Sequence, residues 1–351
     1  MNMNRRQIIL GGTGFAAAGL FLRPASLLAG TTAPILPEHL IHPELRPFAK
    51  MLRQFNQPLS AANLAESRKR MGKWMQPPLT DIPYTSKRIP VGRGNPDVQI
   101  FIVNAKPGTS RPAILHTHGG GFVMGDAVGG LRALQELSKA LDCVIVTVEY
   151  RLAPETTYKG SIEDNYAGLK WLRDHASEIG ADPTKIAVMG ESAGGGHAAL
   201  LAITARDRGE VPLCFQCLIY PMLDDRTGTS RAVPPHVGAL IWSPDKNRFG
   251  WESFLGTKAG GITAPKNAVP ARVMNLKGLP PAFIGVGTLD LFRDEDIDYA
   301  KRLNDADVPA ELLIVPGAFH GFDIMGNTRL ATWFNAAKVN ALRRGFGMTE
   351  V

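Results

Sequence analysis

The amino-acid sequence predicts an α/β protein with a mostly parallel, doubly wound sheet and a helical cap. Apolar runs typical of strands buried on both faces alternate with helical stretches, and glycine-rich turns directly follow two of the runs. This alternation indicates parallel strands joined by crossover helices. Strands are predicted at residues 98–103, 113–117, 143–149, 186–189, 213–220, 282–287 and 311–315. Helices are predicted near residues 129–141, 161–179, 193–207, 294–306 and 329–345.

Two segments interrupt the alternation and are interpreted as a cap. In residues 31–84, apolar side chains recur at helical spacing between prolines, which predicts N-terminal cap helices. Residues 224–275 combine scattered prolines and glycines with several aromatic residues, and we interpret them as an insertion that covers a pocket. The core is then formed by residues 85–223 and 276–351.

The composition excludes a disordered or fibrous chain, because hydrophobic residues make up 44% and charged residues 20% of the 351 residues. The formal net charge of +7 becomes +4 without residues 1–30, which contain three arginines and no acidic residue. So mild an excess of positive charge does not predict a nucleic-acid-binding surface. The basic run of Arg68, Lys69 and Arg70 is interpreted as a solvated helix face.

Residues 1–30 are predicted to be a targeting segment. Arg5 and Arg6 form a twin-arginine start, and the apolar stretch that follows is about 15 residues long, short of the roughly 20 that span a bilayer. The pattern resembles a bacterial Tat signal and predicts export to the periplasm. A general secretory signal and a retained membrane anchor are the alternatives, and the chain is cytoplasmic if the segment is not a signal. Membrane contact is expected only through this segment.

The three cysteines, Cys143, Cys214 and Cys217, predict no disulfide framework because their number is odd. Cys214 and Cys217 form a C-x-x-C pattern, but they lie in a predicted strand and no second cysteine or histidine pair follows. They are therefore expected to be buried apolar cysteines rather than metal ligands or a redox pair.

The strongest motif runs from Gly190 to Gly194 and has Ser192 at its centre. It lies between a predicted strand and a predicted helix, the context in which G-x-S-x-G forms a sharp turn that exposes a nucleophilic serine. The two glycines leave room where backbone segments pass closely, and the N-terminus of the following helix favours a developing negative charge. Ser192 is therefore the predicted nucleophile.

A second motif, His118 followed by three glycines, begins directly after the predicted strand 113–117. Backbone N–H groups in a loop without side chains can approach the negatively charged oxygen of a tetrahedral intermediate. The N–H groups of Gly120, Gly121 and Ala193 are the predicted oxyanion hole. His118 is expected to anchor the loop rather than to act as a base.

A serine nucleophile needs a base, and the base needs an orienting carboxylate. His320 lies in a loop just after the predicted strand 311–315 and is the predicted base. Asp290 directly follows the predicted strand 282–287 and is the predicted acid. Asp294 is the alternative acid, although it is expected in the first turn of a helix, where acidic residues favour the dipole.

Taken in order, these motifs resemble the hormone-sensitive-lipase-like (bacterial type IV) branch of the α/β hydrolases. The resemblance covers about residues 85–345 and rests also on runs that begin at Tyr150 (Y-R-L-A-P-E), Tyr220 (Y-P-M-L-D) and Gly278 (G-L-P-P). It implies the α/β-hydrolase fold with a cap, carboxylesterase activity on short- to medium-chain acyl esters, and no metal or cofactor. One departure is Glu191, where the family more often has aspartate.

The same residues leave other functions open. An amidase, such as an aryl formamidase, or an acyltransferase would use the same serine, histidine and aspartate, and the sequence does not separate them from an esterase. A non-catalytic ligand-binding protein on this scaffold is a third reading, although such proteins usually lose the histidine that is present here as His320. The expected partner is a small-molecule ester, with no nucleic acid, and the oligomeric state is not predicted.

Overall fold

A twisted β-sheet forms the centre of the computed structural model, which describes residues 36–55, 57–72, 76–92, 94–325 and 328–349. Within these residues it has eight strands, in the order β1-β2-β4-β3-β5-β6-β7-β8. β2 pairs antiparallel with β1 and β4, and the other pairs are parallel. The predicted mostly parallel α/β sheet is confirmed. The strands are β1 (Tyr84–Ile89), β2 (Val98–Val103), β3 (Arg111–Thr117), β4 (Val144–Glu149), β5 (Ala181–Glu191), β6 (Phe215–Ile219), β7 (Ala282–Gly287) and β8 (Ala310–Val315).

Helices cover both faces of this sheet, which explains why the central strands are mostly apolar. On one face, α4, α6 and α8 pack against the strands through Leu169, Leu201 and Leu303. On the other face, α3 and α9 pack through Leu134 and Phe334. The helices are α1 (Arg46–Phe55), α2 (Leu64–Gly72), α3 (Leu131–Leu141), α4 (Tyr158–Asp174), α5 (Ala176–Ile179), α6 (Ala193–Arg208), α7 (Pro244–Leu255), α8 (Arg293–Asp305) and α9 (Arg329–Gly345).

A third apolar cluster brings both predicted cap segments against the core beyond the carboxyl end of β3. Leu64 of α2 belongs to this cluster, as do Trp251 and Phe254 of α7 and Trp242 just before it. Phe122, in the loop after β3, also belongs to this cluster and stacks on Phe254 at 4.0 Å between ring centroids. The two segments therefore converge on the glycine-rich loop, and their role as a cap over substrate stays a prediction.

The structure differs from the sequence expectation at some elements. Strand β1 was not predicted, because five of its six residues are exposed and only Ile89 is buried. Among the described strands it lies at the edge of the sheet and pairs only with β2, so it lacks the apolar signal of the central strands. The predicted helix 161–179 is two helices, α4 and α5, which are separated at His175.

The cysteines are free thiols in an apolar environment. Cys143 and Cys217 are buried and Cys214 is half-buried just before β6. Burial raises the pKa of Cys143 and Cys217 to about 12 and that of Cys214 to about 11, so they carry little thiolate at neutral pH.

The predicted targeting segment, residues 1–30, lies outside the described residues and stays a prediction. Across the residues that are described, the helices are too short or too polar to cross a membrane.

Candidate active site

Ser192 occupies the turn between β5 and α6 in a conformation that few side-chain-bearing residues adopt. Its φ and ψ are 59° and −123°, which costs free energy and persists only where neighbouring contacts hold it. Three backbone hydrogen bonds do so. The Ser192 N–H donates to the carbonyl of Ile219 at 2.9 Å, and the Ser192 carbonyl accepts from Gly196 at 3.0 Å and from Met222 at 2.9 Å.

The two glycines of the motif are required by close backbone contacts. A Cβ on Gly194 would lie 2.0 Å from the carbonyl oxygen of Thr117, and one on Gly190 would lie 2.4 Å from the carbonyl oxygen of Gly194. No real Cβ approaches backbone so closely, so substitution at either position would displace β3 or α6. The glycines thus allow the turn that presents Ser192 at the carboxyl edge of the sheet.

Ser192, His320 and Asp290 form a continuous chain of hydrogen bonds. The Ser192 hydroxyl donates to Nε2 of His320 at 2.9 Å. Nδ1–H of His320 donates to Oδ2 of Asp290 at 2.8 Å, and Oδ1 of Asp290 accepts from the N–H of Phe292 at 3.0 Å. These three side chains come from the ends of β5, β8 and β7, although 128 residues separate the serine from the histidine.

The chain of hydrogen bonds is nearly removed from solvent. Ser192 is 7% exposed, His320 6% and Asp290 0%. The rings of Tyr220 and Phe292 lie edge-on to the His320 imidazole, at centroid distances of 4.7 and 5.3 Å. Charge interactions are stronger in such an apolar surrounding than in water.

Asp294, the alternative acid, lies elsewhere. It is in the first turn of α8, and its carboxylate accepts a 2.7 Å hydrogen bond from Nε of Arg293 while 47% of its side chain is exposed. Asp290, not Asp294, contacts His320.

The glycine loop, residues 118–125, runs directly beside the serine turn. A Cβ on Gly119 would lie 2.9 Å from the carbonyl oxygen of Glu191. Gly120, Gly121 and Phe122 have consecutive positive φ angles of 125°, 63° and 67°. Among the hydrogen bonds of the described residues, none has the N–H of Gly120, Gly121 or Ala193 as its donor. The three groups that the sequence predicts for an oxyanion hole are thus available at this edge of the sheet.

Aromatic packing and one hydroxyl fix the start of this loop. The Tyr150 hydroxyl donates a 2.6 Å hydrogen bond to the carbonyl of His118, and the two rings stack at 4.1 Å. Nδ1–H of His118 donates to the carbonyl of Gly119 at 2.9 Å. Burial lowers the pKa of His118 to about 4, so the imidazole is neutral at pH 7. The geometry is that of an anchor for the loop.

Residues of the predicted insertion pack directly against the glycine loop. A Cβ on Gly121 would lie 1.9 Å from the Trp242 indole, so the indole rests directly on the Gly121 backbone. The Trp242 Nε1–H donates to Oδ1 of Asn247 at 3.1 Å, which fixes the ring. Gly250 of α7 also packs here, since a Cβ on it would lie 2.6 Å from the carbonyl oxygen of Gly121.

Glu191, the departure from the family pattern, has a partner behind the serine turn. Nε2–H of His116 donates to Oε2 of Glu191 at 2.9 Å, and Nδ1 of His116 accepts from the Thr147 hydroxyl at 2.9 Å. Burial raises the pKa of Glu191, but His116 and Lys338 outweigh it and the net pKa is below the usual range. Glu191 is thus a carboxylate that joins β5 to β3 and β4.

The expectation that Arg68, Lys69 and Arg70 form a solvated helix face is wrong for Arg68. Lys69 and Arg70 are exposed, but the Arg68 guanidinium donates to the glycine loop at the carbonyl of Val123. Sequence reasoning missed this residue because its acceptor is a backbone carbonyl 55 residues away. Its position four residues after the apolar Leu64 is the one local signal that it shares the inward face of α2.

Comparison with known proteins agrees with this geometry. A family model described as the α/β-hydrolase fold matches residues 114–324, more than half of the chain. The chain is 39% identical over 215 residues to the esterase LipI of Mycobacterium tuberculosis, covering 60% of this chain and 65% of LipI, just under two thirds of that relative. It is 35% identical over 254 residues to the carboxylesterase NlhH of the same organism, covering 70% of this chain and 72% of NlhH.

Solved structures show the same similarity over most of the chain. A bacterial heroin esterase matches with a TM-score of 0.78 and 33% identity, covering 88% of this chain and 98% of that structure. A hyperthermophilic esterase from Pyrobaculum calidifontis matches with a TM-score of 0.75 and 27% identity, covering 87% and 98%. The predicted resemblance is confirmed: this chain belongs to the α/β-hydrolase fold family, among relatives that are carboxylesterases.

Proposed function

We propose that this chain is a serine carboxylesterase that hydrolyses short- to medium-chain acyl esters through an acyl-enzyme intermediate. The observation that carries the proposal is the hydrogen-bonded chain from Ser192 through His320 to Asp290. Three N–H groups beside the serine, which donate no hydrogen bond to any described residue, also support it. The relatives LipI, named an esterase, and NlhH, named a carboxylesterase, support ester bonds as the target.

In the first half of the reaction, the Ser192 oxygen attacks the ester carbonyl carbon while Nε2 of His320 takes the hydroxyl proton. The carbonyl oxygen becomes negatively charged and accepts hydrogen bonds from the N–H groups of Gly120, Gly121 and Ala193. Asp290 holds the imidazole in the tautomer that accepts this proton and stabilises the imidazolium. The carbon–oxygen bond to the alcohol then breaks, and His320 returns the proton to the departing alcohol.

In the second half, His320 removes a proton from water and the hydroxide attacks the acyl-enzyme carbonyl. The same three N–H groups hold the second oxyanion. The bond to Ser192 breaks, the serine oxygen recovers its proton from His320, and the carboxylic acid leaves. The chain, the ester and water supply every atom and proton of this cycle.

The acyl-chain preference is expected to depend on Trp242. Its indole lies against Gly121, beside the position of the substrate oxyanion, and the hydrogen bond to Asn247 keeps it there. A large, fixed ring so close to the reacting carbonyl limits the space for a long or branched acyl group. A series of p-nitrophenyl esters from acetate to decanoate measures this preference.

The decisive test is turnover of p-nitrophenyl acetate and butyrate by the purified chain and by Ser192→Ala. We expect hydrolysis by the wild type and a loss of at least about 10³-fold in the variant, because removing the nucleophile leaves only oxyanion stabilisation and binding. Unchanged turnover in Ser192→Ala would refute the nucleophile. A fluorophosphonate probe should label the wild type and not the variant.

The same preparation tests the alternative reactions. Aryl formamides report amidase activity, and an added alcohol acceptor reports acyl transfer by the yield of a new ester. Faster turnover of the amide, or transfer exceeding hydrolysis, would replace the esterase proposal with one of these. Failure of the fluorophosphonate to label Ser192 would favour a ligand-binding protein.

We further propose that residues 1–30 direct export to the bacterial periplasm. The twin arginine and the short apolar stretch motivate this proposal. Mass spectrometry of the mature protein from the periplasmic fraction is expected to show a new N-terminus near residue 30. A periplasmic protein that retains Met1 would contradict cleavage.

A further inference from the structure

Leu64 and Arg68 of helix α2, which are one helical turn apart, both contact the core. Leu64 is 6% exposed and belongs to the apolar cluster that contains Phe122 and Val123 of the glycine loop. Arg68 lies four residues later and therefore on the same face. The opposite side of the helix is exposed at Ala65, Glu66, Lys69 and Arg70.

The Arg68 guanidinium joins α2 to two loops of the core. Its Nε–H donates to the carbonyl of Val123 at 2.7 Å, and Nη2–H donates to the carbonyl of Ala153 at 3.0 Å. Nη1–H and Nη2–H also donate to the two carboxylate oxygens of Glu155, at 2.7 and 2.8 Å. The planar guanidinium serves these acceptors at fixed angles, which the single ammonium group of lysine does not reproduce.

The two carbonyls, rather than Glu155, are the contacts through which Arg68 acts on the loop. The Glu155 side chain is 63% exposed, and an ion pair to so exposed a carboxylate adds little to stability. Val123 and Ala153 are different because they are buried. A buried carbonyl that loses its hydrogen-bond donor destabilises the folded conformation around it.

Both carbonyls adjoin the strained part of the glycine loop. Phe122 carries a side chain at a φ of 67°, a conformation that needs surrounding contacts to persist. Arg68 holds the carbonyl of Val123, the next residue, and that of Ala153, whose own N–H donates to the carbonyl of Phe122 at 3.0 Å. The guanidinium therefore stabilises Phe122, which directly follows Gly120 and Gly121, through the carbonyls of two neighbouring residues.

We infer that Arg68 is a positioning residue for the oxyanion hole and that docking of α2 and alignment of the Gly120 and Gly121 N–H groups are coupled through it. The inference rests on the proposed function. Without the guanidinium, the loop relaxes away from the positive φ angles that aim its N–H groups. The oxyanion forms only during the reaction, so the loss falls on turnover and not on substrate binding.

The test compares Arg68→Met with wild type on p-nitrophenyl butyrate. We expect kcat to fall about 10- to 100-fold, less than the roughly 10²–10³-fold typical of removing an oxyanion donor outright. KM should stay within about 3-fold, because ground-state binding is retained. Inhibition by phenylboronic acid, whose serine adduct places an oxygen in the same hole, should weaken by a factor similar to that for kcat. The kcat of Arg68→Lys should lie between those of the wild type and Arg68→Met.

The matched control is Arg70→Met, which removes an exposed arginine from the same helix and should retain wild-type kcat. Thermal unfolding of each variant shows whether it is folded at the assay temperature. If Arg68→Met is unfolded, Arg68→Lys takes its place in the comparison. Equal kcat for Arg68→Met and Arg70→Met would overturn the inference, as would a lower kcat with unchanged boronate inhibition. Absence of ester hydrolysis by the wild type would instead refute the proposed function.

Discussion

The hydroxyl of Tyr220 donates a 2.6 Å hydrogen bond to Oδ1 of Asp323, three residues beyond His320. Tyr220 follows β6 and Asp323 lies in the short turn Phe322–Ile324, so this bond ties the histidine loop to the central sheet. Burial raises the pKa of Asp323, although Lys338 and the Tyr220 hydroxyl oppose the effect. The Tyr220 ring contacts His320, whereas its hydroxyl stabilises the loop that carries His320.

Tyr220→Phe separates these two contributions. It keeps the ring beside His320, so kcat should remain close to wild type. It removes the donor to a buried carboxylate, so the free energy of unfolding should fall by about 1–3 kcal/mol. Because protonated Asp323 does not need that donor, the loss should be larger at pH 8 than at pH 4. Urea unfolding at both pH values measures it, and an equal or larger loss at pH 4 would contradict the role of the carboxylate.

Asp290→Asn should reduce kcat by about 10⁴-fold while leaving the fold intact, the effect of the equivalent change in serine protease triads. An amide in place of the carboxylate no longer selects the His320 tautomer that accepts the serine proton. Asp294→Asn is the matched control, since Asp294 pairs with Arg293 and does not contact His320. Steady-state kinetics of both variants decide the assignment. A large loss in Asp294→Asn with activity retained in Asp290→Asn would reverse it.

Gly121→Ala should lower kcat by at least about 10²-fold, in the range for a lost oxyanion donor. The added Cβ would meet the Trp242 indole at 1.9 Å, at a φ of 63°. Gly92→Ala controls for backbone strain, because Gly92 has a φ of 77° and no atom of the described residues lies within 4 Å of its added Cβ. In esterase assays, the kcat of Gly121→Ala should be at least about 10²-fold below that of Gly92→Ala. Similar activities would show that the indole does not constrain the loop.

His197→Leu should make the protein less sensitive to acid. His197 is buried in α6 among Phe122, Tyr150 and Phe254, and burial lowers its pKa to about 3. Within the described part of the chain neither of its ring nitrogens has a hydrogen-bond partner. The unfolded chain binds a proton on this histidine below about pH 6.5 and the folded chain does not. The neutral His197 therefore contributes fully to the free energy of unfolding above pH 6.5, and this contribution is lost as the pH falls towards 3.

The free energy of unfolding that depends on His197 falls by up to about 1.4 kcal/mol for each unit of pH. The free energy of unfolding from urea titrations at pH 7, 6, 5 and 4 should thus fall less steeply for His197→Leu than for wild type. Comparing the two proteins cancels the titration of the carboxyl groups that they share. His39→Leu, on an exposed turn, serves as the control substitution. Parallel curves for wild type and His197→Leu would contradict the buried neutral state.

Local patterns predicted the features whose cause is local. The strands at 98–103 and 282–287 match the structure residue for residue, because burial on both faces favours mostly apolar runs. Ser192, Asp290 and His320 each follow a strand, and parallel strands bring their carboxyl ends to one edge of the sheet. The expectation that these residues meet therefore rested on their motifs together with this topology.

Features that depend on distant backbone left no such pattern. Apart from its position four residues after Leu64, Arg68 looks like Lys69 and Arg70 in the sequence, and its role becomes visible only through the carbonyls of Val123 and Ala153. In the same way, nothing near Trp242 reveals that its ring rests on Gly121. Tertiary contacts between segments that are far apart in the chain are decided by packing geometry, which residue types alone do not encode.

The contact between Trp242 and Gly121 also has a consequence for redesign. Trimming the indole is the direct route to accommodating bulkier acyl groups, but the same atoms brace a predicted donor to the transition state. Under the proposed function, substrate range and catalytic rate therefore both depend on Trp242, and we expect a variant with a broader substrate range to have a lower rate. Broader specificity without loss of rate would need a second change that braces Gly121 from another direction.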